Sequence, residues 1–89
     1  MFLHIGDGHM IPQKEIVLIG DLENVTSSET SREFFSISQE EGFIVDLSGE
    51  GNKARSFILT GETIYYSMIN SKTLTDRFNR PIEKNNYLE

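Results

Sequence analysis

The stretch over residues 55–69, Arg-Ser-Phe-Ile-Leu-Thr-Gly-Glu-Thr-Ile-Tyr-Tyr-Ser-Met-Ile, constrains the fold more than any other part of the chain. Two runs of β-branched and aromatic residues flank Gly61-Glu62. A glycine at the first central position is what a two-residue type II′ hairpin turn requires, because φ is positive there. The stretch therefore predicts a tight antiparallel hairpin. Along it Phe57 and Leu59 alternate with Ser56, Ile58 and Thr60, and Ile64, Tyr66 and Met68 alternate with Tyr65, Ser67 and Ile69, so neither face is plainly polar. A hairpin apolar on both sides needs cover on both, which predicts a helix on one face and either more sheet or another subunit on the other.

Upstream, Phe2-Leu3-His4-Ile5 reads as a short strand turned back by Gly6-Asp7-Gly8 into His9-Met10-Ile11-Pro12. Pro12 has no N–H to give, so it ends this strand or sets it on an edge. The nearly continuous apolar run Glu15-Ile16-Val17-Leu18-Ile19-Gly20-Asp21 has the pattern of a strand covered on both faces and predicts a central one. Residues 22–31, polar and rich in Ser and Thr, fit a loop or the entrance to a helix. Ser28 as N-cap, Glu29 against the helix dipole, the narrow apolar stripe Phe34, Phe35 and Ile37-Ser38, and Gly42 just past the end predict a helix over 28–41. Its many hydroxyl residues lower the intrinsic propensity, so packing must hold it.

Phe43-Ile44-Val45-Asp46-Leu47 predicts another strand, and Ser48-Gly49-Glu50-Gly51-Asn52 a flexible turn. Asn70-Ser71 caps a short helix through Arg80, with Leu74 and Phe78 on its inner face and Pro81 as its stop. Residues 82–89 read as a loose tail, in which Leu88-Glu89 has the form of a cloning remnant ahead of an affinity tag, leaving one domain over residues 1–87. The fold class is α+β: a small, mostly antiparallel sheet with one helix between strands and a short C-terminal helix.

With 89 residues, 37% hydrophobic and 25% charged, the chain is too short for two cores. A domain this small buries only roughly 60–65% of its unfolded surface, so oligomerisation would add to its stability. The absence of Cys excludes disulfides, thiolate zinc sites and cysteine nucleophiles, and it accords with the cytoplasm. No apolar run approaches the roughly 18 residues of a membrane span, and residues 1–5 lack the basic start of a signal peptide. The expectation is a cytoplasmic protein with no membrane partner.

The net charge of −6 argues at face value against nucleic acid. Its distribution is uneven. Residues 1–50 carry ten acids against Lys14 and Arg32, a net of −8, whereas residues 51–89 carry a net of +2 and leave room for a basic patch. The plain alternative is a solvated acidic surface that keeps the protein soluble.

His4, Asp7 and His9 fall on the arms and turn of one predicted hairpin, but their spacing matches no standard metal-ligand pattern and Asp7 is accounted for by the turn. Gly49-Glu50-Gly51-Asn52-Lys53 has the glycines of a phosphate-cradling loop. A P-loop, however, runs straight into a helix through Gly-Lys-Ser/Thr, and here a strand follows. Lys53 and Arg55 project from this loop at alternate positions, as a β-hairpin offers charges to a phosphate backbone. No nucleophile–base pairing is present, so the expectation is a protein that is not an enzyme and takes no cofactor or metal.

Five segments carry a family resemblance: Phe2-Leu3-His4-Ile5-Gly6-Asp7, Glu15-Ile16-Val17-Leu18-Ile19, Lys53-Ala54-Arg55-Ser56, Ile64-Tyr65-Tyr66-Ser67 and Ser71-x-Thr73-Leu74-x-x-Arg77. In this order and spacing the chain resembles the bacterial extracellular matrix regulatory proteins RemA and RemB, the RemB branch more closely. The match runs from about Phe2 to Phe78 and is weakest over residues 25–42. The resemblance implies a small α+β protein related to LytTR-type DNA-binding domains, assembling into closed rings and activating biofilm-matrix and osmoprotection genes. A ring would cover the second hairpin face, and repeating one modest basic patch around it raises avidity.

In the RemA branch, DNA contact is associated with an Arg near the start of the third strand and an adjacent Arg pair before the central hairpin. By order of residues these positions fall on Glu15 or Lys14, and on Asn52 and Lys53. Lys53 keeps its charge, with Arg55 nearby. Losing two or three phosphate contacts per subunit flattens the salt dependence and weakens binding. The resemblance and the positive second half together predict a homo-oligomeric transcriptional regulator with Lys14, Lys53 and Arg55 on phosphates and Arg77 or Arg80 as a secondary patch. Arg55 reads equally as an ion-pair partner within or between subunits. The alternative is a protein-interaction module that has lost its DNA contacts and acts through the apolar hairpin or a sheet edge, within the assembly of a more basic paralogue.

Overall fold

The computed structural model describes residues 1–25 and 27–80; Pro81 and the tail with Leu88-Glu89 lie outside the described residues. The elements in chain order are β1 (Phe2–Gly6), β2 (His9–Pro12), a 3₁₀ turn (Gln13–Glu15), β3 (Ile16–Asp21), α1 (Leu22–Val25), α2 (Glu29–Glu40), β4 (Ile44–Asp46), β5 (Ser56–Thr60), β6 (Ile64–Ser67) and α3 (Ser71–Phe78). The α+β class follows, with the expected helix between strands and the short helix near the end. β1 and β2 pair as a separate two-stranded sheet, and the other four strands run in the order β3-β5-β6-β4. All pairings are antiparallel except β4 with β6.

The predicted hairpin is β5–β6, in the register Phe57↔Tyr66 and Leu59↔Ile64. Its turn is not the predicted type. Gly61 does not take a positive φ. Instead Thr60 Oγ1 accepts hydrogen bonds from the N–H groups of Glu62 at 3.3 Å and Thr63 at 3.0 Å, and donates to the Thr63 carbonyl at 3.0 Å. A hydroxyl at the head of the loop closes it locally, so a left-handed glycine is not needed.

Both faces of β5 are covered from within this chain. Ile58 packs in a fully buried cluster with Leu3 and Ile5 of β1, Ile11 of β2 and Leu74 of α3. On the opposite face Phe57 packs with Phe35 of α2 and Ile64, flanked by Leu22, Val25 and Ile44. Each such side chain contributes roughly 1.5–3 kcal/mol by leaving water. The second cover is therefore the β1–β2 hairpin with α3, and the β5–β6 hairpin needs no neighbouring subunit to close it.

The expectation that residues 15–21 form a central strand is overturned, since β3 pairs with β5 alone and forms an edge of the sheet, and Glu15 belongs to the 3₁₀ turn before it. Val17, 67% exposed, and Leu18, 51% exposed, stand open on it. An apolar run reports the environment of side chains and not the number of strands alongside. Ile16 and Ile19 reach the first cluster, which accounts for half of the run.

The helices end where local chemistry ends them. Ser28 Oγ accepts from the Ser31 N–H at 3.2 Å to cap α2, and Gly42, at φ +81°, leads the chain out of its far end. Of the expected stripe on α2, Phe35 and Ser38 are buried while Phe34 and Ile37 are exposed. Successive helical residues point about 100° apart, so two adjacent Phe residues cannot both face the core. Asn70 Oδ1 accepts from the Thr73 N–H at 2.8 Å to cap α3, which then buries Leu74.

Candidate nucleic-acid interface

The loop from β4 to β5 holds the cations that the sequence singles out. Asp46 Oδ1 accepts from both the N–H (2.9 Å) and the hydroxyl (2.6 Å) of Ser48, and the Asn52 N–H donates to the Gly49 carbonyl at 3.2 Å. Arg55 is fixed through its backbone: its N–H donates to the Ser67 carbonyl at 2.8 Å and its carbonyl accepts from the Leu22 N–H at 3.0 Å. The side chains of Lys53 and Arg55 are exposed, and neither makes an ion pair or hydrogen bond with any described residue. The reading of Arg55 as an ion-pair partner within the chain is thus not met among the described residues.

Both cations line an open cleft of about 880 Å³ that also takes in Asp21, Glu23, Asp46, Tyr66 and Asn70. Asp21 Oδ1 accepts from the Glu23 N–H at 2.8 Å, so two of the three carboxylates are also turn-formers. They still carry charge, and three anions beside two cations lower the potential a phosphate meets. Burial, and secondarily the Asp46 carboxylate, push the Tyr66 phenol above its ordinary value of 10.0, so it stays a neutral donor in this cleft.

The other expected contacts lie elsewhere. Lys14 precedes β3 at the end where Ile16 pairs with Thr60, whereas Arg55 precedes Ser56, which pairs with Asp21 at the other end. The length of the strand, roughly 16 Å at about 3.3 Å per residue, separates them. Arg77 is half-buried and donates from Nη1 to the His4 carbonyl at 3.1 Å, holding α3 to β1. Arg80 is exposed just beyond the C-cap Asn79. Both sit at the end of α3 remote from Asn70, roughly 10 Å or more along the helix. The structure thus brings Lys53 and Arg55 together and leaves Lys14, Arg77 and Arg80 apart from them.

His9 packs against Tyr65 in a tilted arrangement with ring centroids 5.4 Å apart, and among the described residues no group of three or more His, Cys, Asp or Glu side chains is placed to hold a metal ion. No helix is long and apolar enough to cross a membrane among the described residues. The sequence reading missed the carboxylate wall of the cleft, which assembles Asp21 and Asp46 from distant segments. Their only local signal is an Asp at the end of each strand, followed by a turn or helix start.

Fold and site define a small α+β domain that presents an anchored cationic loop at one end of a mixed four-stranded sheet. Residues 2–78 match the model of the RemA-like family, described as extracellular matrix regulatory protein A-like, and the chain belongs to that family. The family implies a role in regulating the extracellular matrix. No curated protein matches the chain.

Proposed function

We propose that this chain is a non-enzymatic transcriptional regulator of the cytoplasm that self-associates, in the manner of a ring, and binds duplex DNA through Lys53 and Arg55 repeated on successive copies. The observation that carries this reading is the pair of exposed cations, without an ion-pair or side-chain hydrogen-bond partner among the described residues, on a loop whose backbone is tied at Arg55 to β6 and α1. The tied backbone at Arg55 lowers the cost of ordering the loop on meeting a phosphate, and contacts of this kind position a duplex without reading its bases. The carboxylates in the same cleft make each copy a weak binder, so function needs repetition.

Fluorescence anisotropy with a labelled duplex tests this at low salt. The parent is expected to bind, with an affinity that falls steeply as salt rises; Lys53→Ala with Arg55→Ala is expected to abolish that binding. A double variant that binds like the parent would remove these two residues from the interface. A second reading, in which the chain acts on a protein partner or a more basic paralogue, is favoured by the three carboxylates beside the cations. Absence of DNA binding by the parent at any salt selects it.

A further inference from the structure

A second open surface lies at the turn end of the sheet, away from the cationic loop. Phe34 and Ile37 of α2 and the adjoining Phe43, each about half exposed, line a groove of about 540 Å³ together with Leu59 and Ile64. Glu62 lines it as well. Glu33, Glu40 and Glu41 stand one helical turn from Ile37 on the same side of α2 and its C-cap. An apolar centre inside a charged rim is the anatomy of a protein interface, and an acidic rim repels DNA.

The opposite layer of the molecule carries a surface of matching character. Phe2 and Met10, also about half exposed, stand on the outward side of the β1–β2 hairpin, where Leu3 and Ile11 face inward. The cations beside them are Lys14, just past β2, and Arg77, held against β1 through the His4 carbonyl. The Phe2 end of this hairpin side lies at the level of the groove along the strands. Phe2 pairs with Pro12, the 3₁₀ turn follows, and Ile16 pairs with Thr60, itself a lining residue of the groove.

We infer that this groove seats the outward side of the β1–β2 hairpin of a second copy of the chain. The inference rests on the self-association proposed above and names its surfaces. Apolar side chains meet apolar side chains, and Lys14 and Arg77 of one copy face the glutamate rim of the next. Because the two surfaces belong to opposite layers, the contact is head-to-tail and propagates to a ring or a filament. The Lys53–Arg55 loop, at the far end of the strands, stays uncovered in every copy.

Size-exclusion chromatography with light scattering tests this on the parent, on Ile37→Glu, which spoils the groove, on Phe2→Glu, which spoils the hairpin side, and on an equimolar mixture. The parent is expected to be a multimer and each variant a monomer. The mixture is expected to form a 1:1 dimer and stop there, because one intact groove meets one intact hairpin and the remaining pair is spoiled. Any variant whose far-ultraviolet circular dichroism departs from the parent's is replaced by Ile37→Ser or Phe2→Ser. Multimeric parent with either variant keeping the parent's mass, or with a mixture that stays monomeric, overturns the assignment of surfaces and leaves self-association standing. A monomeric parent ends the self-association reading itself.

Discussion

A side chain at position 20 has no room, because an added Cβ would overlap the Phe57 ring, which lies across the strand. The backbone there does not have a positive φ, so the requirement for glycine is one of space. Phe57 in turn sits edge-on to Phe35 at 5.2 Å, which ties β3, β5 and α2 through one aromatic contact. Moving that ring disturbs the whole α2-side core. Gly20→Ala is expected to destabilise the fold by about 1–3 kcal/mol, the usual cost of overpacking. Urea unfolding measures it, and Phe57→Leu in the same chain should restore part of the loss by vacating the space. An unchanged midpoint in Gly20→Ala would mean that the ring moves aside freely. Nothing in the residues around Gly20 announces this role, since what stands opposite is set 37 positions later in the chain.

The layers are joined by buried hydroxyls as well as by apolar contact. Ser67, fully buried at the end of β6, donates to the Ile5 carbonyl at 2.7 Å and accepts from the Ile69 N–H at 3.0 Å, linking the β1–β2 layer to the main sheet. Ser56, its cross-strand neighbour, donates to the Ile69 carbonyl at 2.6 Å. Ser67→Ala strands two backbone groups at once and is expected to cost about 1–3 kcal/mol. By contrast, Lys72→Ala, which breaks the exposed Lys72–Asp76 pair at 3.0 Å, should cost no more than about 0.5 kcal/mol. Equal midpoints for the two variants in thermal unfolding would show that the hydroxyl link is not holding the layers. The elements written in local signals were legible: Ser28 and Gly42 bracket α2, Asn70 caps α3, and the alternation over residues 55–69 marks the hairpin. What escaped the sequence is pairwise and distant. Ile16–Asp21 carries no mark of having one neighbour instead of two, and Thr60 looked like an ordinary strand residue until its hydroxyl closed the turn. At the site, Lys53 and Arg55 were legible as alternating cations on a loop. The carboxylates around them, and the distance of Lys14, depend on how strands stack.

On the scale of the molecule, the separation of two surfaces along the same strands turns a weak local site into a testable mechanism. The cations open at the Ser56 end of β5, and the apolar groove opens at its Thr60 end. A head-to-tail contact through the groove repeats the Lys53–Arg55 loop at regular intervals along one rim, without adding any contact within a copy. Two phosphate contacts in a single chain give a log–log salt slope of about 1.8, at roughly 0.9 per phosphate neutralised, and a duplex laid across several copies multiplies that slope by the number engaged. The Phe2→Glu chain, monomeric on the contact inferred above but keeping both cations, is therefore expected to lose at least about a hundredfold in duplex affinity and most of the parent's salt slope. Anisotropy titrations of parent and variant across a range of salt concentrations measure both quantities. Parallel slopes would mean that each chain engages DNA alone, and the net negative charge of the cleft would then have to be overcome by cations of that same chain, which Lys14, Arg77 and Arg80 are placed too far away to supply.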